Sequence, residues 1–148
     1  MDTGLRLNEV TTLRLDDVDF DRRIIRVRGK GEKERLLAIG ERSMFAIQKC
    51  AKGRDYLWHS QRTHGPMKRD GVYSLLKRLG KRTGIKVHPH RFRTTFACLF
   101  ADQTHGDAGS LQILMGHSRL ETTLAYIGWN KINRALERQR EIGLADGL

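Results

Sequence analysis

The sequence predicts a mainly helical (α+β) domain with one small antiparallel β-sheet, and three observations support that fold class. Apolar residues in the middle of the chain follow the i, i+3, i+4, i+7 spacing of one helix face: Val72, Leu75, Leu76 and Leu79. Helix-start signals at Pro89 and Ser118 predict two further helices downstream. Residues 18–39 differ, because their β-branched and aliphatic runs are typical of strands.

The β-sheet is predicted around a hairpin within residues 18–39. Two strand-like runs flank the segment GKGEKE, in which Gly29 and Gly31 give the turn its conformational freedom. Lys30 is therefore placed at or near the hairpin tip. Because charged hairpin tips are usually only solvated, Lys30 by itself does not indicate a function.

Two helices are predicted on either side of this hairpin. The first follows Asn8, which has the residue type of an N-cap, and it turns Val10 and Leu13 toward a core. The second starts at Gly40 and ends near Gly53. Its inward-facing residues are predicted to be Met44, Phe45 and Ile47.

Between these elements and the central amphipathic helix, we predict a short third strand at Tyr56–Trp58 and a loop over residues 59–68. The polar face of the central helix is uniformly basic: Lys68, Arg69, Lys77, Arg78, Lys81 and Arg82. Such a face is often only solvated. Its uniform sign also suits a surface that follows a nucleic-acid backbone.

The stretch from residue 88 to residue 126 holds the residues best suited to chemistry. Pro89 fits the first position of a helix, where a missing N–H costs nothing, so a helix is predicted to begin at His90. An apolar stripe is formed by Phe92, Phe96 and Leu99. His90 and Arg93 lie together on another side, in the first turn, where free N–H groups and the helix dipole favour an anion.

A second helix is predicted from about Arg119, because Ser118 and Glu121 form an S-x-x-E capping box. Its apolar stripe is Leu120, Leu124 and Ile127. Tyr126 points roughly 120° away from that stripe, which argues against a buried core tyrosine. Gly128 is predicted to end this helix. A last, charged helix then spans residues 131–142, with Ile132, Ala135, Leu136 and Ile142 roughly on one side.

These residue types suit phosphodiester chemistry. Histidine and arginine side chains protonate and neutralise phosphate oxygens, and a tyrosine can attack phosphorus and hold it covalently. A tyrosine with a pKa of about 10 is a poor nucleophile at neutral pH, but concentrated positive charge favours its phenolate. Because the sequence shows no acidic cluster suited to Mg²⁺, we predict neither a metal nor another cofactor.

Composition points to the same class of substrate. The 148 residues contain 28 Lys and Arg against 17 Asp and Glu, a formal charge of +11, which indicates a polyanionic partner and nucleic acid first. No apolar run approaches membrane-spanning length, and no signal peptide opens the chain. Cys50 and Cys98 form no C-x-x-C motif, so a reducing, cytoplasmic compartment is the simplest interpretation.

Five motifs in this order resemble the catalytic domain of the phage integrase (tyrosine recombinase) family. They are Arg6 in TGLR, Lys30 in GKGEKER, His90-x-x-Arg93, GHSRLETT and Tyr126. Each motif alone is weak, but five in this order and spacing are specific. The resemblance covers about residues 3–140, so residues 1–148 are expected to form one catalytic domain.

The resemblance implies a role for each site residue. Arg6 and Arg93 look like the paired arginines that clamp the scissile phosphate, where a guanidinium fork fits two oxygens. Lys30 resembles the hairpin lysine that protonates the leaving 5′-oxygen, and His90 the general acid or base. Glu9 stands where the family commonly has an acidic residue that supports the site.

Two residues of the C-terminal part complete the implied site. His117 looks like the residue that hydrogen-bonds the phosphate. Tyr126 looks like the nucleophile, which gives a 3′-phosphotyrosine link and a free 5′-hydroxyl. Residues expected to contact DNA are Arg6, Lys30, Arg93, Lys77, Arg78, Lys81 and Arg82.

Some features depart from the family pattern. His88 stands where the family often has a serine N-cap, and Thr94 where many members have histidine, but neither change removes a catalytic group. The family's N-terminal DNA-clamping domain, and about one helix before TGLR, are expected to be absent from this chain.

The resemblance also implies partners and location. The substrate is double-stranded DNA, on which family members assemble as tetramers, whereas this chain alone is expected to be a monomer or weak dimer. We expect a cytoplasmic, bacterial protein of a phage or mobile element, associated with the nucleoid when bound to DNA. Two alternatives stay open: a catalytically silent DNA-binding remnant, and a type IB topoisomerase-like enzyme.

Overall fold

The computed structural model describes residues 2–29, 34–51, 54–60, 63 and 65–142. It divides into two compact units, residues 1–96 and residues 97–148. Most of the described residues are helical, and a small antiparallel sheet lies in the N-terminal unit. The predicted fold class is therefore confirmed. No helix among these residues is both long and apolar enough to cross a lipid bilayer.

The small sheet is built on the predicted hairpin. Its strands are β1 (Val18–Asp19), β2 (Ile24–Arg28) and β3 (Glu34–Ala38), and the order β1-β2-β3 is antiparallel throughout. Alternate side chains of β2 and β3 are buried, with Ile25, Val27 and Leu37 at most 2% exposed. The pairing of Arg28 with Glu34 brings the two strands up to the turn. Lys30 itself lies outside the described residues.

Helix α1 (Leu7–Thr12) precedes the sheet, and α2 (Glu41–Ala51) follows it. The predicted capping role of Asn8 is wrong, because Arg6 occupies the N-cap position and Asn8 lies inside α1. Leu13 and Met44 are buried as predicted, at 3% and 4% exposed. Phe45 does not face inward. It is 58% exposed, and the Lys49 ammonium lies 4.5 Å from its ring centre.

The predicted third strand at Tyr56–Trp58 is wrong. Tyr56 forms only an isolated bridge with Arg14, and the third strand of the sheet is β1. The predicted loop over residues 59–68 instead contains a small antiparallel pair, β4 (His59–Ser60) and β5 (Gly65–Pro66). Two-residue strands carry too little periodicity to be recognised from sequence. Helix α3 (Arg69–Thr83) follows, and it ends at Gly84 in the left-handed conformation.

Helix α4 (Pro89–Gln103) begins where Pro89 predicted. The predicted faces of α4 need correction, because Leu99 is 50% exposed and Arg93 is only 7% exposed. The most buried positions of α4 are Arg93, Ala97 and Ala101, which follow each other at i+4 spacing on one face. The largest apolar side chains did not predict the buried face of α4, because two alanines lie on that face.

The C-terminal unit contains α5 (Ala108–Met115) and α6 (Leu120–Ile142). Helix α5 was not predicted, although Asp107 caps its start by accepting the Ser110 N–H at 3.0 Å. Gly128 does not end the tyrosine helix, and no separate helix begins at residue 131. Gly128 lacks the positive φ of a terminating glycine, and one glycine inside a helix costs only about 1 kcal/mol.

The buried side of α6 also differs from the predicted stripe. Leu120 and Leu124 are 41% and 46% exposed, whereas Thr123 and Ile127 are 0% and 5% exposed. Tyr126 is half-buried. Its predicted orientation was measured from an apolar stripe that is not the buried side of α6. Farther along, Arg134 donates to the Asp102 carboxylate at 2.7 Å, which links α6 to the end of α4.

Candidate active site

Arg6 and Glu9 are joined at the start of α1. The Glu9 carboxylate accepts the Arg6 backbone N–H at 2.7 Å and the Arg6 guanidinium at 3.1 Å. The Glu9 side chain thus accepts a hydrogen bond from a backbone N–H at the helix start and also orients the Arg6 side chain. Gly4, two residues earlier, has a φ of +56° that suits glycine. The TGLR motif therefore forms a turn that presents Arg6 at the helix start.

Glu9 is also clamped from the sheet. Arg35 of β3 donates to both Glu9 oxygens at 2.8 Å, and the two side chains are only 9% and 6% exposed. Burial by itself raises the pKa of Glu9, but the hydrogen bonds and charge of Arg35, together with the Arg6 N–H, hold it below its ordinary value. Glu9 therefore stays ionised and connects α1 to the hairpin strand that leads away from Lys30.

Arg93 is anchored to the same turn. Its guanidinium donates to the Gly4 carbonyl, 89 positions away in the sequence. Arg93 is buried, as an arginine rarely is unless it is paired. Within the N-terminal unit, the structure thus brings Arg6, Glu9 and Arg93 together around one short segment.

His90 lies one turn from Arg93, at the exposed start of α4. The His90 N–H donates to the His88 Nδ1 at 3.2 Å, so His88 caps the helix through its ring. A pocket of about 350 Å³ lies beside this turn, and its lining is rich in cationic and imidazole groups. It is lined by Lys86, His88, His90, Arg91 and Thr94.

In the C-terminal unit, the end of α5 positions His117. Gly116 has a φ of +60°, its N–H donates to the Ile113 carbonyl at 3.0 Å, and the His117 N–H donates to the Gln112 carbonyl at 3.1 Å. These two bonds form a Schellman motif, which ends a helix in a defined direction. The Gly-His pair of the sequence is therefore a helix stop that fixes the backbone of His117.

The His117 ring is fixed by α6. Its Nδ1 lies 2.9 Å from the hydroxyl oxygen of Thr123, which is fully buried. The His117 and Tyr126 rings are nearly parallel, at 11°, with their centres 6.1 Å apart. A histidine and a half-buried tyrosine are thus held side by side.

A separate groove of about 860 Å³ runs along α3, opposite the β4–β5 pair. Its lining includes three of the seven residues predicted to contact DNA, together with two that were not predicted: Lys77, Arg78, Lys81, Arg54 and His59. Arg82 is exposed on the same helix but does not line the groove. None of the described residues that line the groove is acidic, and several of them carry positive charge.

Sequence reasoning missed one supporting residue in each unit, Arg35 beside Glu9 and Thr123 beside His117. The arginine follows GKGEKE directly in the sequence, but nothing local indicates that it binds Glu9. Thr123 lies in the ETT segment, and only its burial in the structure distinguishes it from Thr122. Among the described residues, no group of three or more His, Cys, Asp or Glu side chains is placed to hold a metal ion.

Comparison with known proteins identifies the family. The sequence matches the phage integrase family over residues 1–131. It is 36% identical to the tyrosine recombinase XerA of Saccharolobus solfataricus over 130 residues, covering 85% of this chain and 42% of that protein. The chain spans about half the length of the curated relatives it matches.

Solved structures agree with this match. The crystal structure of XerA recombinase superposes with a TM-score of 0.78 at 32% identity, over 93% of this chain and 54% of that one. The Tn1549 transposon integrase in complex with circular intermediate DNA gives a TM-score of 0.75 at 26% identity, over 93% and 56%. The predicted resemblance is confirmed, and the chain belongs to the phage integrase family of tyrosine recombinases.

Proposed function

We propose that this chain is the catalytic domain of a site-specific DNA recombinase, which cleaves and rejoins DNA strands through a 3′-phosphotyrosine intermediate. The observation that carries the proposal is the His117–Thr123–Tyr126 arrangement, in a chain that belongs to the tyrosine recombinase family. The anchored arginines Arg6 and Arg93 give independent support, because their contacts with Glu9 and with the Gly4 carbonyl hold two positive charges at the same turn.

In the proposed reaction, the Tyr126 oxygen attacks the scissile phosphorus, a bond forms between them, and the bond from phosphorus to the 5′-oxygen breaks. The phenol proton passes to His90 or to solvent, and the leaving 5′-oxygen takes a proton from Lys30. Attack of a 5′-hydroxyl on the phosphotyrosine reverses these steps and rejoins the strand. Because the bond energy is kept in the phosphotyrosine, no nucleotide cofactor is required.

The arginines would stabilise the charge that builds up during this transfer. Arg6 and Arg93 are assigned to the non-bridging phosphate oxygens, and His117 donates a further hydrogen bond to one of them. Glu9 would not touch the substrate. Its contacts support the proposed role of holding Arg6 while its own charge is neutralised by Arg35.

The proposal is tested by trapping the intermediate. The chain is incubated, with EDTA present, with a labelled pool of nicked duplexes of randomised sequence, from which the short 5′-hydroxyl fragment is lost after attack. We expect a covalent protein–DNA adduct on a denaturing gel from the wild type, and none from Tyr126→Phe, which should still bind DNA.

Four results would count against the proposal. An adduct that persists in Tyr126→Phe rejects this nucleophile, and an adduct that requires Mg²⁺ rejects a metal-independent reaction. If the wild type binds DNA but forms no adduct, the chain is the silent DNA-binding remnant. Relaxation of supercoiled DNA without site preference would favour the topoisomerase-like alternative.

DNA binding is proposed to use the groove along α3. Three of its lining residues, Lys77, Arg78 and Lys81, lie on one exposed side of the helix, as phosphate contacts require. Such contacts release counterions, so affinity should fall steeply as salt rises. This electrostatic binding is independent of sequence, and it would place the domain on duplex DNA before any site is selected.

The double variant Lys77→Gln/Lys81→Gln measures this contribution. Each lost phosphate contact reduces the slope of log K against log salt by about 0.9, so the slope should fall by roughly 1.8. The matched control is Arg138→Gln/Arg140→Gln, which removes the same charge from exposed positions of α6. Fluorescence anisotropy with a labelled duplex gives both slopes. Equal changes in the two variants would show that net charge, rather than the groove, is responsible.

Assembly on DNA is proposed to involve four protomers, whereas the DNA-free chain is expected to be a monomer or weak dimer. Large apolar side chains stay exposed along the second half of α6, at Ile132, Leu136 and Ile142, which supports a contact with another protomer. The link between Arg134 and Asp102 keeps this part of α6 attached to its own unit.

A further inference from the structure

Thr123 is a buried polar residue that the proposed reaction does not yet use. Its side chain is completely buried, and its hydroxyl oxygen lies 2.9 Å from the Nδ1 of His117. It lies on α6 one turn before Tyr126, so one helix carries both the nucleophile and the partner of the histidine. Burying a hydroxyl is costly unless it is hydrogen-bonded, so packing alone would be served better by valine.

The chemistry of a hydroxyl differs from that of the other possible histidine partners. A hydroxyl can donate a hydrogen bond as well as accept one, whereas a carboxylate only accepts and an ammonium only donates. A neutral ring protonated on Nε2 accepts the Thr123 hydroxyl proton at Nδ1, whereas a neutral ring protonated on Nδ1 donates to the hydroxyl oxygen. Facing an imidazolium, the same oxygen accepts from Nδ1–H. The first arrangement gives the buried hydroxyl proton an acceptor, and with it the Nε2 of His117 is protonated whether the ring is neutral or charged.

We propose that Thr123 is a positioning residue, which holds the His117 ring so that Nε2 carries a proton whether or not the ring is charged. The inference rests on the proposed role of His117 as a donor to the scissile phosphate. A phosphate oxygen can only accept hydrogen bonds, so a histidine with a bare Nε2 would repel it. Thr123 disfavours that state, because a neutral ring protonated on Nδ1 would no longer accept the buried hydroxyl proton.

The adjacent residue provides a matched control. Thr122 has the same side chain on the same helix, but it is exposed. Thr122→Val and Thr123→Val therefore make the same chemical change and alter helix propensity equally. Thr123→Ser keeps the hydroxyl and removes only a methyl group, so it separates the hydrogen bond from the packing.

The primary test reads the tautomer of His117 without DNA. Long-range ¹H–¹⁵N spectra of the ¹⁵N-labelled full chain show which ring nitrogen is protonated, and His117→Gln identifies the signals of His117. At a pH where the ring is neutral, we expect the Nε2–H tautomer in the wild type, in Thr123→Ser and in Thr122→Val. Thr123→Val should lose this preference. An Nδ1–H tautomer in the wild type, or an unchanged tautomer in Thr123→Val, overturns the proposal.

Cleavage gives the second readout. At neutral pH, Thr123→Val should slow adduct formation roughly three- to tenfold, as expected from the loss of one hydrogen bond, with DNA affinity unchanged. Thr123→Ser should restore the rate. If Thr123→Val fails to fold, Thr123→Ala, which also removes the hydroxyl and has a smaller side chain, replaces it in both measurements. Failure of the catalytic proposal looks different, because an adduct would then be missing in the wild type or present in Tyr126→Phe while the tautomer result stands.

Discussion

Replacing Glu9 with alanine is expected to destabilise the N-terminal unit by about 3–5 kcal/mol, since it removes the carboxylate that accepts two hydrogen bonds from the buried guanidinium of Arg35. Glu9 and Arg35 are 6% and 9% exposed and share two hydrogen bonds of 2.8 Å. The same substitution removes the acceptor of the Arg6 N–H at the start of α1. Urea denaturation, followed by circular dichroism, measures the loss.

A second ion pair in the chain serves as the control. Glu41 accepts from Arg23 at 2.9 Å, about the same distance, but the two side chains are 85% and 50% exposed. Exposed pairs contribute about 0–1 kcal/mol, so Glu41→Ala should cost far less than Glu9→Ala. Adding Arg35→Met to Glu9→Ala should recover part of the loss, because it also removes the buried positive charge that Glu9 had paired with. Equal losses in Glu9→Ala and Glu41→Ala would contradict the buried-charge argument.

Acid should destabilise the folded chain by protonating Glu9. The pKa of Glu9 is held below its ordinary value of 4.5 in the folded chain, so the unfolded state binds the proton more tightly. The stabilisation from the charged Glu9 is therefore fully present above that value, and it is lost as the pH falls through the folded pKa.

Local signals predicted those parts of the site that depend on one element. Pro89 predicted the start of α4, because its fixed φ constrains the backbone wherever it occurs, and the strand-like runs on either side of GKGEKE predicted the paired strands β2 and β3. The capping residue Asp107 and the terminating Gly116 carry equally local signals for α5, which were available but not used. Gly128 shows the limit of such signals, because a glycine permits a helix stop without requiring one.

Contacts between distant residues could not be predicted in this way. Arg35 reaches Glu9 across 26 positions, and nothing in either local sequence identifies the partner. The burial of Arg93 could not be predicted for the same reason, because its guanidinium donates to a backbone carbonyl in the distant TGLR turn. Family resemblance supplied the residues proposed to react, but the side chains that contact them became visible only through tertiary contacts.

Arg93→Lys is expected to reduce the rate of adduct formation by about 10²–10³-fold, the loss typical of removing one preorganised donor from a developing anion. A guanidinium is a planar fork with five N–H donors, so it can donate to the Gly4 carbonyl and to phosphate oxygens at once. A lysine ammonium keeps the charge but is a single point donor. In a site that is only 7% exposed, it cannot serve both partners with the same geometry.

Arg91→Lys is the matched control for this change. Arg91 lies two residues away on the same helix, is exposed, and donates to the Lys86 carbonyl at 2.8 Å. Both variants keep the net charge and change helix propensity equally, so only the burial and the partner differ. Adduct rates from the nicked duplex pool should stay within a few-fold of wild type for Arg91→Lys, with both variants folded by circular dichroism. If Arg93→Lys reacts as fast as Arg91→Lys, the buried guanidinium only stabilises the TGLR turn, and other residues bind the phosphate.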